Sequence, residues 1–236
     1  MRRAGRVVAM VLSRLAGEVG PGVKTKELDR VCVAELKKHG ATASFKGYRG
    51  FPASLCVSVN NEIVHGIPGD RVIQEGDIVS LDFGAIVDGF HGDAAMTVGV
   101  GGVSPEAGRL IEAAEGALAA GIGAARSGAR LGDVSVAIQQ HVESRGFSVV
   151  REYTGHGIGR DMHEEPSVPN FGVPGQGPVM LKGMTLALEP MVNAGGWRTV
   201  VGDDHWLVMT ADGSLSAHFE HTIAVTDGEA EILTAL

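Results

Sequence analysis

The chain has 236 residues, 44% of them hydrophobic, and its 20 Lys+Arg against 28 Asp+Glu leave a net charge of −8. No basic run points to nucleic acid or an anionic membrane surface, and no apolar run approaches the roughly 18 residues of a spanning helix. Two cysteines, Cys32 and Cys56, offer neither a disulfide framework nor zinc-finger spacing, as expected in a reducing compartment.

Met1-Arg2-Arg3 has the charge of a leader peptide. Arg6 and Arg14 interrupt the next segment, whose apolar residues have helical spacing, so no leader is expected. Val7, Val8, Val11, Leu12, Leu15 and Val19 predict a first helix, closed by Pro21-Gly22. A second helix is predicted from Thr25, as N-cap, to His39, stopped by Gly40. Leu55–Asn60 alternates as a strand. Ile78–Val87 reads as another, and Asp88-Gly89 is a strong hairpin turn. A two-residue loop there sets Gly84 opposite Asp93 and makes Asp82 its diagonal neighbour on one face. Two carboxylates so placed repel each other and are costly to desolvate, and a shared cation compensates both.

Ser104-Pro105-Glu106 starts a third helix and Gly132–Arg145 is predicted as a fourth. Phe147–Tyr153 and Ser216–Val225 read as strands. A shift of 106 residues takes Gly22 to Gly128 and Gly40 to Gly146, with Leu28, Cys32 and Leu36 falling on Val134, Ile138 and Val142. The chain therefore reads as one unit of two related α+β halves, 1–103 and 104–236, around a shared site.

Histidines 65, 91, 156, 163, 205, 218 and 221 lie in or beside the strand- and turn-rich parts. His156 is flanked by Gly155 and Gly157, which let the backbone pass close to a bound group. Glu189 precedes Pro190 at a strand end, and Glu220 sits within a strand, where an unpartnered carboxylate is rare. Asp82, Asp93, His156, Glu189 and Glu220 form an oxygen-rich set that suits a pair of Mn, Fe or Co ions better than a cysteine-rich zinc site.

Over nearly its whole length the chain resembles the type I methionine aminopeptidases. The resemblance rests on CVSVNNEIVHGIP (56–68), LDFGAIVDGFHGD (81–93), TGHGIG (154–159), MHEEPSVPNFG (162–172), TLALEPM (185–191) and FEHT (219–222). It implies the pita-bread α+β fold, with pseudo-twofold halves around a curved antiparallel sheet. It implies two divalent ions (Co, Mn, Fe or Zn) on Asp82, Asp93, His156, Glu189 and Glu220, with Asp93 and Glu220 bridging. Glu189 would accept the proton of the attacking water. His65 and His163 would be catalytic without binding metal, His163 at the oxyanion and His65 at the scissile amide. Phe45, Tyr48, Phe51, Cys56, Met162 and Trp206 would line the methionine pocket.

Phe45 and Met162 depart from residues common there, which bears on pocket shape. His218 replaces a Gln-like residue beside Glu220 and is expected to tune metal affinity. The implied substrates are the N-termini of nascent polypeptides with a small second residue, met near the ribosome exit by a cytoplasmic monomer. Two other readings share the fold: a prolidase or aminopeptidase P, which usually carries a large extra domain, and an inactive binding protein, which would have lost metal ligands retained here.

Overall fold

The computed structural model describes residues Met1 to Leu236. Helix α1 (Arg2–Ala16) buries Val7, Val8, Val11, Leu12 and Leu15 on one side, as their spacing predicts, while Val19 falls beyond its end. Helix α2 (Thr25–His39) starts one residue away from the expected cap. Lys24 is the N-cap, and its N–H donates to Glu27 at 2.9 Å. The Thr25 hydroxyl is taken up by the turn at Gly69, accepting its N–H at 2.8 Å. Helix α3 (Pro105–Ala124) is capped by Ser104, whose Oγ accepts the Ala107 N–H. Helix α4 runs Leu131–Glu143, close to the expected span.

The halves repeat in detail. Gly22 and Gly128 have φ of +90° and +89°, and Gly40 and Gly146 stop their helices at +62° and +81°. The Lys24–Glu27 cap recurs as Arg130–Asp133, again at 2.9 Å. Positive φ explains why glycine stands at these equivalent stops.

The first half carries strands β1 (Thr42–Ala43), β2 (Cys56–Val59), β3 (Glu62–Val64), β4 (Ile78–Val87) and β5 (Phe90–Gly99). The second carries β6 (Ser148–Val149), β7 (Thr154–Gly157), β8 (Glu164–Pro169), β9 (Thr185–Leu188) and β10 (Met191–Asn193). It continues with β11 (Thr199–Val201), β12 (Val208–Thr210), β13 (Ser216–His218), β14 (Glu220–Ala224) and β15 (Glu231–Ile232). A nine-stranded antiparallel sheet orders its main path β1-β4-β5-β14-β9-β7-β8, with β2 on β4 and β15 on β14. Its centre, β5 against β14, is the seam between the halves.

Leu81, Phe83 and Ala85 of β4 pack against α1 and α2 in one apolar cluster. Leu186, Leu188 and Ile223 pack against α3 and α4 in another. Period two then turns Ser80, Asp82 and Gly84 to the opposite face, which the helices leave free.

Two expected strands differ. Ser216–Val225 is broken at Phe219, whose N–H turns to the Pro190 carbonyl at 3.3 Å. The part before the break pairs with β10, and the part after it enters the central sheet. Phe147–Tyr153 shrinks to β6, because its partner β10 offers a short ladder.

Candidate metal centre

The turn Asp88-Gly89 closes β4 onto β5 with both residues at positive φ, +51° and +75°, the two-residue loop that favours Asp-Gly. Val87 therefore pairs with Phe90 and Gly84 with Asp93, as the loop length predicts. Ala95 pairs with Asp82 on one side and Glu220 on the other. Asp93 is fixed to the neighbouring strand through Thr222, whose Oγ1 takes its N–H at 2.9 Å and donates to its carbonyl at 2.7 Å. His156 pairs with Ala187 of β9, and Glu189 comes directly after that strand. Five donors from separate strands so converge on one cavity of about 150 Å³.

Glycine makes the His156 position possible. A Cβ at Gly155 would lie 2.3 Å from the Ala187 carbonyl oxygen, and one at Gly157 would lie 2.4 Å from that of Glu165. The strands can close around His156 only without those side chains. His156 Nδ1 donates to the Gly157 carbonyl at 2.8 Å. That leaves Nε2 as the free lone pair, 3.4 Å from Glu189 Oε1, the arrangement that orients an imidazole toward a cation.

Electrostatics make the cluster unstable alone. Burial lifts the Asp82 carboxyl to about 7. Burial, then the neighbouring carboxylates, holds Asp93, Glu189 and Glu220 well above the ordinary range. Asp82 Oδ1, Asp93 Oδ1 and Glu220 Oε1 are buried without a hydrogen-bond partner. Asp93, His156 and Glu220 can each offer a ligand atom within 4.8 Å of the others. Orphaned carboxylate oxygens facing a neutral imidazole are a hard-cation donor set.

Beside this cluster lies an apolar wall. Phe45, Phe51, Cys56 and Met162 are buried together, with Tyr48 and Trp206 against them. Phe51 meets Trp206 edge-on at 5.1 Å and Phe45 at 6.4 Å. All six expected pocket residues line the cavity, and Ala53 and Ile67, which carried no sequence signal, complete the cluster. His65, at φ +63°, stands edge-on to Trp206 and Tyr153. His163 lies over His156, ring centres 4.1 Å apart, with its Nδ1 2.8 Å from the Tyr48 hydroxyl. Burial, then His156 and Arg49, lowers His163 to about 4.

Other histidines go elsewhere. His91 pairs with Ser44 and His221 with Thr234. His218, expected beside Glu220, is fully buried in β13, outside the cavity, with neither ring nitrogen partnered.

Residues 1–227 match the model of metallopeptidase family M24. The chain belongs to that family. A methionine aminopeptidase of Clostridium perfringens is 54% identical over 236 residues, covering 100% of this chain and 95% of the relative. Methionine aminopeptidase 1 of Bacillus subtilis is 52% identical, covering 99% and 94%. The crystal structure of methionine aminopeptidase from Thermotoga maritima superposes with a TM-score of 0.99 at 47% identity, covering 100% of this chain and 95% of that one. The prolidase from Pyrococcus furiosus shares the fold alone, with a TM-score of 0.81 at 19% identity over 62% of its own chain. The M24 chain thus has the pita-bread fold, and it carries the divalent-metal dependence of a metallopeptidase.

Proposed function

We propose that this M24 peptidase removes the N-terminal methionine from polypeptides whose second residue is small. The observation that carries the reading is the contact of the orphaned donor cluster with the closed apolar wall in one cavity. A thioether chain fits such a wall, which leaves the peptide bond beside the carboxylates.

Asp82, Asp93, His156, Glu189 and Glu220 would hold two divalent ions, with Asp93 and Glu220 close enough to His156 to offer ligand atoms to a common ion. Bound there, the ions would acidify a water and polarise the scissile carbonyl. The rest falls to this chain's side chains. Glu189 lines the cavity beside His156 and, ionised once the ions are bound, would accept the proton of the attacking water. His163 is neutral at pH 7; in the tautomer that accepts the Tyr48 hydroxyl at Nδ1, its proton sits on Nε2 and can stabilise the developing oxyanion. His65 is also held neutral by burial and serves the scissile amide as the amine leaves. Phe45, Tyr48, Phe51, Cys56, Met162 and Trp206 seat the methionine side chain and exclude water from it.

Residues 1–236 act as one catalytic domain in this reading, since each half supplies part of the donor set. Mn, Fe, Co and Zn all suit the donors, and supply decides among them. The substrates are nascent chains near the ribosome exit, and the enzyme works as a cytoplasmic monomer. The test is release of methionine from Met-Ala-Ser after chelation and metal add-back, with Asp93→Asn alongside. Metal-dependent release that the variant abolishes is expected. No release with any metal from a folded chain overturns the reading.

A further inference from the structure

The cavity has an entrance as well as a floor. Most of its lining is buried or half-buried, and Arg49 and His163 are its two exposed members. They mark the solvent-facing rim past which a substrate anchored by its methionine would extend. His163 already has a place in the reaction, and Arg49 has none.

Arg49 is unusual in two ways. Its backbone is left-handed, φ +49° and ψ 21°, between Gly47 at +86° and Gly50 at +92°. Glycine is the unstrained residue for such a position, so an arginine there is held by its surroundings rather than by local preference. Its guanidinium carbon lies 5.3 Å from the centre of the Tyr48 ring, and it pairs with no carboxylate. Two acids close in sequence to the lining residues His163 and Trp206 are engaged by their own turns. Glu164 accepts the Asp161 N–H at 3.0 Å, and Asp204 accepts those of Trp206 and Leu207 at 2.9 Å. An unpaired guanidinium steadied on an aromatic ring offers its donors to whatever passes.

The geometry points to Arg49 as a specificity residue that favours acidic side chains beyond the small second residue of the substrate. This deepens the proposed aminopeptidase reading and rests on it. The second residue is too short to reach the cation. The third, about 3.3 Å further along an extended chain, is the first whose side chain can. A carboxylate there gains a charge-assisted hydrogen bond, and an ammonium meets a like charge.

The experiment compares Met-Ala-Glu-Ser, Met-Ala-Gln-Ser and Met-Ala-Lys-Ser, all as C-terminal amides, on the metal-loaded full chain. The expected order of kcat/KM is Glu, Gln, Lys, with about three- to tenfold between the extremes, carried mainly in KM. The spread should shrink at about 0.5 M salt. Arg49→Gln should bring the Glu/Lys ratio close to one, Arg49→Glu should reverse it, and Arg49→Lys should keep its sign. Affinities of the same peptides with a reduced, uncleavable Met-Ala bond should show the same order, a readout independent of turnover. Equal ratios in the native chain, or a preference surviving Arg49→Gln, overturn the inference. Methionine release from none of the peptides would instead overturn the aminopeptidase reading, with the affinity series still deciding the role of Arg49.

Discussion

The Tyr48 hydroxyl stands 2.8 Å from Nδ1 of His163, and the two rings lie nearly parallel with centres 5.2 Å apart. The contact holds the plane of the imidazole, and when the hydroxyl is the donor the ring proton lies on Nε2. Tyr48→Phe keeps the ring and loses the hydrogen bond that orients the imidazole. Its kcat should fall about tenfold, by analogy with orienting partners of other catalytic histidines, with KM changed much less. Steady-state kinetics on Met-Ala-Ser check this, and an unchanged kcat would leave the contact a packing one.

Metal and proton compete for the same carboxylates. In the metal-free chain Asp82, Asp93, Glu189 and Glu220 have folded-state values raised by burial. The folded state therefore holds protons that the unfolded state has already lost, so stability falls as pH rises through the folded values. Buried histidines, among them His65, His156 and His163, shift down and act in the opposite sense below about pH 6.5. That opposition fades above about pH 7, and from there to about pH 8 the carboxylates dominate. The urea midpoint of chelated protein should drop across that window, and excess Mn should restore it most at its upper end. A midpoint that rises with pH would contradict the burial of these carboxylates.

Donor substitution should separate binding from folding. Glu220→Gln keeps the size of a side chain that is buried and short of partners, so the chelated variant should be at least as stable as the native chain in mildly alkaline buffer. Its metal affinity should fall about a hundredfold or more. Calorimetric titration with Mn and a melt of the chelated protein read the two effects apart.

Gly157→Ala tests the close approach around His156. The added carbon would meet the Glu165 carbonyl at 2.4 Å, and backbone must move to relieve it. We expect a loss of about 2–4 kcal/mol in stability, within the range of strain at special backbone positions, together with weaker metal binding. Urea unfolding measures the first. A neutral result would mean that β8 can retreat without cost.

Cys56 lines the cavity but should not react. Burial, with Asp82, Asp93 and Glu220 nearby, pushes its thiol well above the ordinary range, and thiolate is the reactive form. Native protein near neutral pH should resist a disulfide reagent for hours and be labelled at Cys32 and Cys56 on unfolding. Fast labelling of Cys56 in the folded chain would refute this.

The hairpin half of the site was legible because its determinants are local. A two-residue loop and a period of two are enough to set Asp82 and Asp93 on one face. His156, Glu189 and Glu220 could be chosen by chemistry, but their meeting depends on the pairing of β5 with β14, β14 with β9 and β9 with β7. Those long-range ladders leave no periodic trace. The break at Phe219 was hidden for the same reason: alternation runs unbroken through Ser216–Val225 while the chain changes sheets. Thr25 misled because its hydroxyl had a tertiary partner at Gly69. Arg49 stood in a turn-rich stretch where nothing local marks an entrance.

The seam gives the protein a property that neither half has. Asp82 and Asp93 come from the first half and His156, Glu189 and Glu220 from the second, and β5 meets β14 through Glu220↔Ala95 and His221↔Ala94. An ion held across that line is a latch between two similar lobes. β3 also pairs with β12 across the same divide, so parting the halves would scatter the donors only by breaking both pairings. A bound ion would resist that parting and slow proteolysis first where the halves meet.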